Sequence, residues 1–274
     1  MMRRTSCIPL ILVCIALSAG CAAPYSKYKY RKDQQQYFQG DPALAERTIA
    51  PKAEEAVRKN TLGKNLMVWD LGVYRFAQGN YDGAIEAFME GVKDVEELHS
   101  AGQTVVAAVT SASGQKYVGD PVEVSTAYLY IGLCYYMQGD YQNALVGFRR
   151  SLEEDLSMDE ARQGDMGITN YMMGETFLQL GKHDDAAVAF RRVLEHAGDL
   201  VPARIGLYYA LERMGATADL AAIRERLEEC MDEAVAENWR EHPQQGITVV
   251  VFSGTASQVK KDAFLGAFRK RVEN

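Results

Sequence analysis

Glu123, Asp165, Glu175 and His183 are the side chains best suited to proton transfer in this sequence. A hydrolase needs two such groups at one site, or one beside a nucleophile. Their spacing carries no such signature. The chain has no Gly-x-Ser-x-Gly elbow, no His-Glu-x-x-His motif, no Cys/His nucleophile pair and no glycine cluster followed by Gly-Lys-Ser/Thr. Its histidines, His99, His183, His196 and His242, are scattered. No Cys/His cluster has metal-ligand spacing, so neither a metal nor another cofactor is expected. Asp184–Asp185 and Glu153–Asp155 read as helix-start charge and solvated faces. The balance of signals points away from catalysis.

One thiol stands apart. The chain begins MMRRTSCIPLILVCIALSAGC: two arginines, an apolar run from Cys7 to Leu17, then small residues before Cys21. This pattern predicts a secretory signal peptide over 1–20, too short for a stable membrane span. LSAG-Cys21 resembles a bacterial lipobox, with Ser18 where Leu or Val is commoner. That resemblance implies diacylation of the Cys21 thiol, and two buried acyl chains anchor a protein stably. An ordinary cleavage site beside a chance cysteine is the other reading. Ala22 after the cysteine implies the outer membrane where a cell has two. Removing 1–20 takes two cations and no acid from the net charge of −7, leaving −9. An acidic body gives nucleic-acid binding no overall support. Residues 21–40, basic and tyrosine-rich and then polar, are expected to be a tether, either on lipid headgroups or in solvent. Cys134 and Cys230 lie in separate predicted helices and are expected to be buried thiols rather than a disulfide.

The elements that position these side chains follow from a repeat. FAQGNYDGAIEAF, YMQGDYQNALVGF, LQLGKHDDAAVAF and the weaker LERMGATADLAAI align on Gly79, Gly139, Gly181 and Gly215. The spacings are 60, 42 and 34. The last is the tetratricopeptide period, and the first two exceed it by insertions of 26 and 8 residues. Gly72, Gly132 and Gly174 upstream, with Ala84, Ala144 and Ala186 downstream, let the two helices of each hairpin approach closely. Phe88, Phe148 and Phe190 are expected to fill the space between them. The glycine at each turn ends the first helix with a positive φ. Tyr141 is a packing residue. Arg149–Arg150 and Arg191–Arg192 are either paired with neighbouring acids or a basic ridge.

Residues 117–155, YVGDPVEVSTAYLYIGLCYYMQGDYQNALVGFRRSLEED, carry a closer likeness. Tyr117, Gly119, Asp120 and Glu123 match a Y-x-G-[ED]-x-x-E element; Gly139, Asp140, Tyr141, Ala144, Leu145, Val146, Arg149 and Arg150 match the helix that follows it. The chain thus resembles a widespread family of bacterial tetratricopeptide-repeat envelope lipoproteins. Gly147 and Phe148 replace that family's acidic and small residues. The tail 247–264 is also similar, with Ser257 in place of a proline. The resemblance implies an envelope location and a repeat architecture, and no particular activity.

The resulting expectation is a mainly α chain, a tetratricopeptide-like helical solenoid over 41–242. Repeats fall near 66–98, 125–155, 167–198 and 201–240, the last closing with a helix over 218–239. Residues 102–120 and 246–254, rich in β-branched residues between glycines, suggest a small β element, although 103–112 also suits a helix. Residues 243–274 add a strand and an amphipathic helix. The face of the first helices predicts a partner groove made of Trp69, Val73 and Phe76, then Leu129, Leu133 and Tyr136, then Tyr171, Glu175 and Leu178. That groove is either open to a protein or peptide partner or filled by the helix near 41–60 or by the C-terminal tail. The function expected is a membrane-anchored, non-enzymatic adaptor. The alternatives are a glycan- or small-ligand-binding lipoprotein serving a transporter, with tyrosines of 128–136 stacking the ligand, and a cell-wall-active enzyme.

Overall fold

The computed structural model describes residues 31–61, 63–101, 119, 121–156, 166–197 and 200–230. Cys21, Asp165, the expected β segments, the end of the closing helix and the C-terminal amphipathic helix lie outside the described residues. Ten helices run through the described residues: α1 Lys32–Phe38, α2 Pro42–Lys59, α3 Lys64–Ala77, α4 Tyr81–Ser100, α5 Pro121–Met137, α6 Tyr141–Leu156, α7 Gly167–Gln179, α8 His183–Ala197, α9 Val201–Met214 and α10 Thr217–Cys230. No strand occurs among the described residues. Each helix packs chiefly on the helices before and after it in sequence. This is a tetratricopeptide-like solenoid of antiparallel helix pairs.

The repeat residues sit where their spacing places them. Ala84, Ala144, Ala186, Phe88, Phe148 and Phe190 are all buried. A Cβ on Gly72, Gly132 or Gly174 would stand 2.8, 2.5 or 2.6 Å from the phenylalanine ring of its own hairpin. Only glycine leaves room for those rings. Gly139 has φ 77°, and the turn is a Schellman motif: Gly139 N–H donates to the Tyr136 carbonyl, and Asp140 N–H to that of Tyr135. The same bonds recur at Gly79 and Gly181. Gly139→Ala is expected to cost about 1 kcal/mol, because a Cβ is strained there although nothing crowds it. Chemical denaturation reads this directly; an unchanged midpoint would contradict the capping role.

The second and third repeats are joined by a buried row of hydroxyls. Ser125 Oγ donates to the Ser151 carbonyl at 2.7 Å, and Ser151 Oγ lies 3.1 Å from Thr169 Oγ1. The Met166 thioether closes this cluster. Lys64 and Asp94 form a buried ion pair at 3.3 Å between α3 and α4. Cys134 is a buried free thiol, and burial pushes its pKa up to about 12. Of the doubled arginines, Arg150 pairs with Glu153 at 3.3 Å and Arg191 with Asp219 at 3.1 Å.

The tether expected over 21–40 gives way to folded chain at its end. Lys32–Phe38 is a helix, and with α2 it forms a further hairpin ahead of the first repeat. The polar run KDQQQYF hid this because its docking is mostly polar. Asp33, only 1% exposed, accepts hydrogen bonds from Tyr74 Oη at 2.9 Å and from Arg31 at 3.0 Å. Arg31 also pairs with Asp70, to which Gln34 donates at 3.3 Å. The Tyr37 and Tyr74 rings lie 5.1 Å apart. On the other side, Arg75 of α3 bonds Glu46 of α2 at 2.9 Å. The helix near 41–60 therefore packs on α3 as the second half of a hairpin.

Candidate partner-binding face

The first helices of successive hairpins, α3, α5, α7 and α9, touch one another in series and form a continuous row. In a solenoid the curvature makes such a row a concave wall. The nine residues expected on it divide into two layers. Trp69, Leu129, Leu133 and Tyr171 are buried in the core, while Val73, Phe76, Tyr136, Glu175 and Leu178 are half-buried. The first four form a floor, and the other five are the accessible part of the row.

Trp69 shows why the floor is closed. Its indole packs between Gly91 of α4 and Gly119, where a Cβ would come within 2.1 and 2.5 Å of ring atoms. Gly119 has φ 99°. The glycine of the Y-x-G-D element thus brings the chain across the indole, and its spacing alone gave no sign of this. Phe76 is similarly engaged at one edge, with the Tyr130 ring at 5.3 Å and the Tyr81 ring at 5.6 Å.

Tyr136, Tyr171 and Glu175 come together. The Tyr171 hydroxyl donates to the Glu175 carboxylate. Burial raises the Glu175 pKa, and this hydrogen bond opposes the rise. Tyr136 is pushed up to about 12, first by burial, then by the charge of Glu175 and by Tyr141. The Tyr136 and Tyr141 rings meet edge-on at 5.4 Å. The row thus offers a carboxylate beside an aromatic face, with apolar Leu178 on the same helix as Glu175 and Val73 on α3. Such a surface can accept hydrogen bonds and stack against a chain.

The acid–base candidates that the structure describes lie on three different helices. Glu123 lies in the first turn of α5, Glu175 in the last turns of α7 and His183 at the start of α8. No group of three His, Cys, Asp or Glu that could hold a metal occurs among the described residues. A shallow depression lined by Met89, Val92, Lys93, Glu96, Glu97 and Ser100 belongs to α4 alone. No helix among the described residues is long and apolar enough to cross a membrane. A polar cluster away from the row was also missed from sequence: Tyr128 donates to Glu96, and His99 lies 3.3 Å from Glu154. Its members come from α4, α5 and α6, which no local motif links.

Fold and face together define a tetratricopeptide-type solenoid, a class whose repeats mediate protein–protein contacts. Residues 126–155 and 169–199 match the tetratricopeptide repeat family model. The chain is similar to the crystal structure of MamA, at 17% identity and a TM-score of 0.53, covering 78% of this chain and 99% of that one. It is also similar to a tetratricopeptide repeat protein from Parabacteroides merdae ATCC 43184, at 17% identity and a TM-score of 0.52, covering 77% and 67%. A third likeness is to BtubC (BKLC) from P. vanneervenii, at 15% identity and a TM-score of 0.53, covering 81% and 85%. At these identities the likeness is one of fold. No curated protein matches the chain.

Proposed function

We propose that this chain is a lipid-anchored, non-enzymatic adaptor that holds a protein or peptide partner on its row of first helices, in envelope assembly or regulation. The observation that carries the reading is the row itself. Val73, Phe76, Tyr136, Glu175 and Leu178 remain accessible over a buried floor, and α1–α2 docks ahead of α3. Aromatic side chains in such a position supply large contact area at low entropic cost. Support for the anchor is the Cys21 leader, which places the thiol ten residues before Arg31. An outer-membrane site facing the periplasm follows where the cell has two membranes.

Crosslinking in cells followed by mass spectrometry tests the adaptor. The full chain is expected to capture one envelope protein, and a Tyr136→Ala/Glu175→Gln double variant to lose it while unfolding at the same temperature. Equal capture by both would remove the row from the function. The anchor is tested separately with a clickable palmitate analogue. Cys21→Ser is expected to abolish label incorporation and to release the chain from the membrane fraction. Retained label would place the lipid elsewhere.

A further inference from the structure

The charge along the α3, α5 and α7 part of the row is one-sided; the arginines of the row's last helix, Arg204 and Arg213, lie on α9. Neither α5 nor α7 contains a lysine or an arginine. The two cations of α3 are committed elsewhere, Lys64 to Asp94 and Arg75 to Glu46. Glu175 meets Tyr171, a neutral donor, and forms no ion pair with another described residue. Tyr136 presents a half-buried ring near enough to feel the carboxylate's charge. Leu178 follows Glu175 on the same helix, and Met137, 54% exposed, follows Tyr136. The chain as a whole is acidic.

We infer that the occupant of the row is a peptide segment carrying a lysine or arginine flanked by apolar residues, its cation seated between the Tyr136 ring and the Glu175 carboxylate. The inference rests on the adaptor reading and specifies its partner. A half-buried carboxylate with only a neutral partner is short of attraction, and a cation supplies it. The same cation gains from an aromatic face that is partly desolvated. An acidic segment finds no cation on α5 or α7 and meets repulsion from Glu175. Apolar flanks fit Leu178, Val73 and Met137. Burial also raises the Glu175 pKa, so an arriving cation restores the ionised form.

The test is selection of random peptides of about 12 residues, long enough when extended to cross several helices of the row, displayed against the full-length chain in detergent. Enriched sequences are expected to share one Arg or Lys between apolar residues. Synthetic versions are then measured by fluorescence anisotropy. Glu175→Gln is expected to weaken binding at least about tenfold, as is citrulline in place of the peptide's arginine. Tyr136→Leu, which keeps bulk and loses the ring, is expected to weaken it about threefold. Unfolding midpoints check that each variant is folded. Peptides that need Leu178 and Val73 but carry no cation would overturn this inference and leave the adaptor reading standing. A selection yielding no row-dependent peptide overturns both. The chain's own segment 257–274, with Lys260, Lys261, Arg269, Lys270 and Arg271, is assayed as a synthetic peptide in the same way. Row-dependent binding of that peptide tighter than any selected one would make the occupant internal and overturn the partner assignment.

Discussion

Gly147→Ala lowers the midpoint of thermal unfolding by about 6–12 °C, the expected consequence of about 3 kcal/mol in a chain of this size. Helix propensity alone points the other way, since alanine in place of a mid-helix glycine gains about 1 kcal/mol. Packing decides. A Cβ on Gly147 would stand 2.6 Å from the backbone nitrogen of Gly132 and 2.7 Å from its Cα, with the Tyr128 carbonyl oxygen at 3.1 Å. These are backbone atoms of α5, so no rotamer change relieves the contact and the two helices must separate. Separation unpacks Phe148 and Ala144 and stretches the Ser125–Ser151 bond. The equivalent positions in the flanking repeats are Ala87 and Ala189, both accommodated and buried. The second hairpin is therefore the closest of the three, and the glycine belongs to that closeness. Thermal unfolding followed by circular dichroism checks this, with exposed Val146→Ala as a control expected within about 0.5 kcal/mol of the parent. A Gly147→Ala variant as stable as the parent would show that α5 and α6 can part freely.

Acidification is expected to strengthen the docking of α1. Burial, the largest influence on Asp70, raises its pKa from 3.8 to about 6 against the attraction of Arg31, and the Asp33 charge adds to the rise. A carboxylate whose folded pKa lies above its unfolded value binds protons more tightly in the folded chain. Stability therefore grows as pH falls from above about 6 toward 3.8, and is lost as pH rises through the same range. The full shift corresponds to about 3 kcal/mol, and the 29% exposure of the Asp70 side chain brings the expected effect nearer to about 2 kcal/mol. Asp70→Asn keeps a hydrogen-bonding amide beside Gln34 and removes the titration. At pH 7.5 the variant is expected to be the more stable by about 1–2 kcal/mol, with the two curves converging near pH 4.5. Glu154 and Glu175 also have raised pKa values, both first from burial, so the informative quantity is the difference between the two proteins. A parent more stable than Asp70→Asn at neutral pH would mean that the Arg31 pair outweighs the burial of its carboxylate.

The hairpins were legible in the sequence because their markers are sterically compulsory. A glycine that must take a positive φ, a glycine under a ring, a buried alanine and the ring itself recur in register, and each has few substitutes. Gly139, Gly132, Ala144 and Phe148 stand where that logic put them. The first hairpin escaped because α1 docks through Asp33, Arg31 and Gln34, and no apolar period marks such a contact. The face was legible only in part. Positions on a helix give direction, not depth. Trp69, Leu129, Leu133 and Tyr171 are buried, and Trp69 is covered by Gly91 and Gly119, which lie far from it in sequence. The meeting of Tyr136 with Glu175 depends on how two repeats stack, which no single repeat encodes.

The hydroxyls of Ser125, Ser151 and Thr169 bear on how the helices of this molecule keep their register. Apolar helix faces hold their register through interlocking shape alone, by contacts that have little directionality. Hydrogen bonds are directional and weaken steeply when misaligned, and these lie buried, where a broken one finds no water. The bonded cluster spans α5, α6 and α7, the joint on which Tyr136 and Glu175 face each other. The cluster therefore fixes the register of α5 against α7, as the Tyr128–Glu96 and His99–Glu154 contacts do between α4 and the second hairpin. Tyr136 and Glu175 thus keep one mutual placement, set by bonds that neither of them makes.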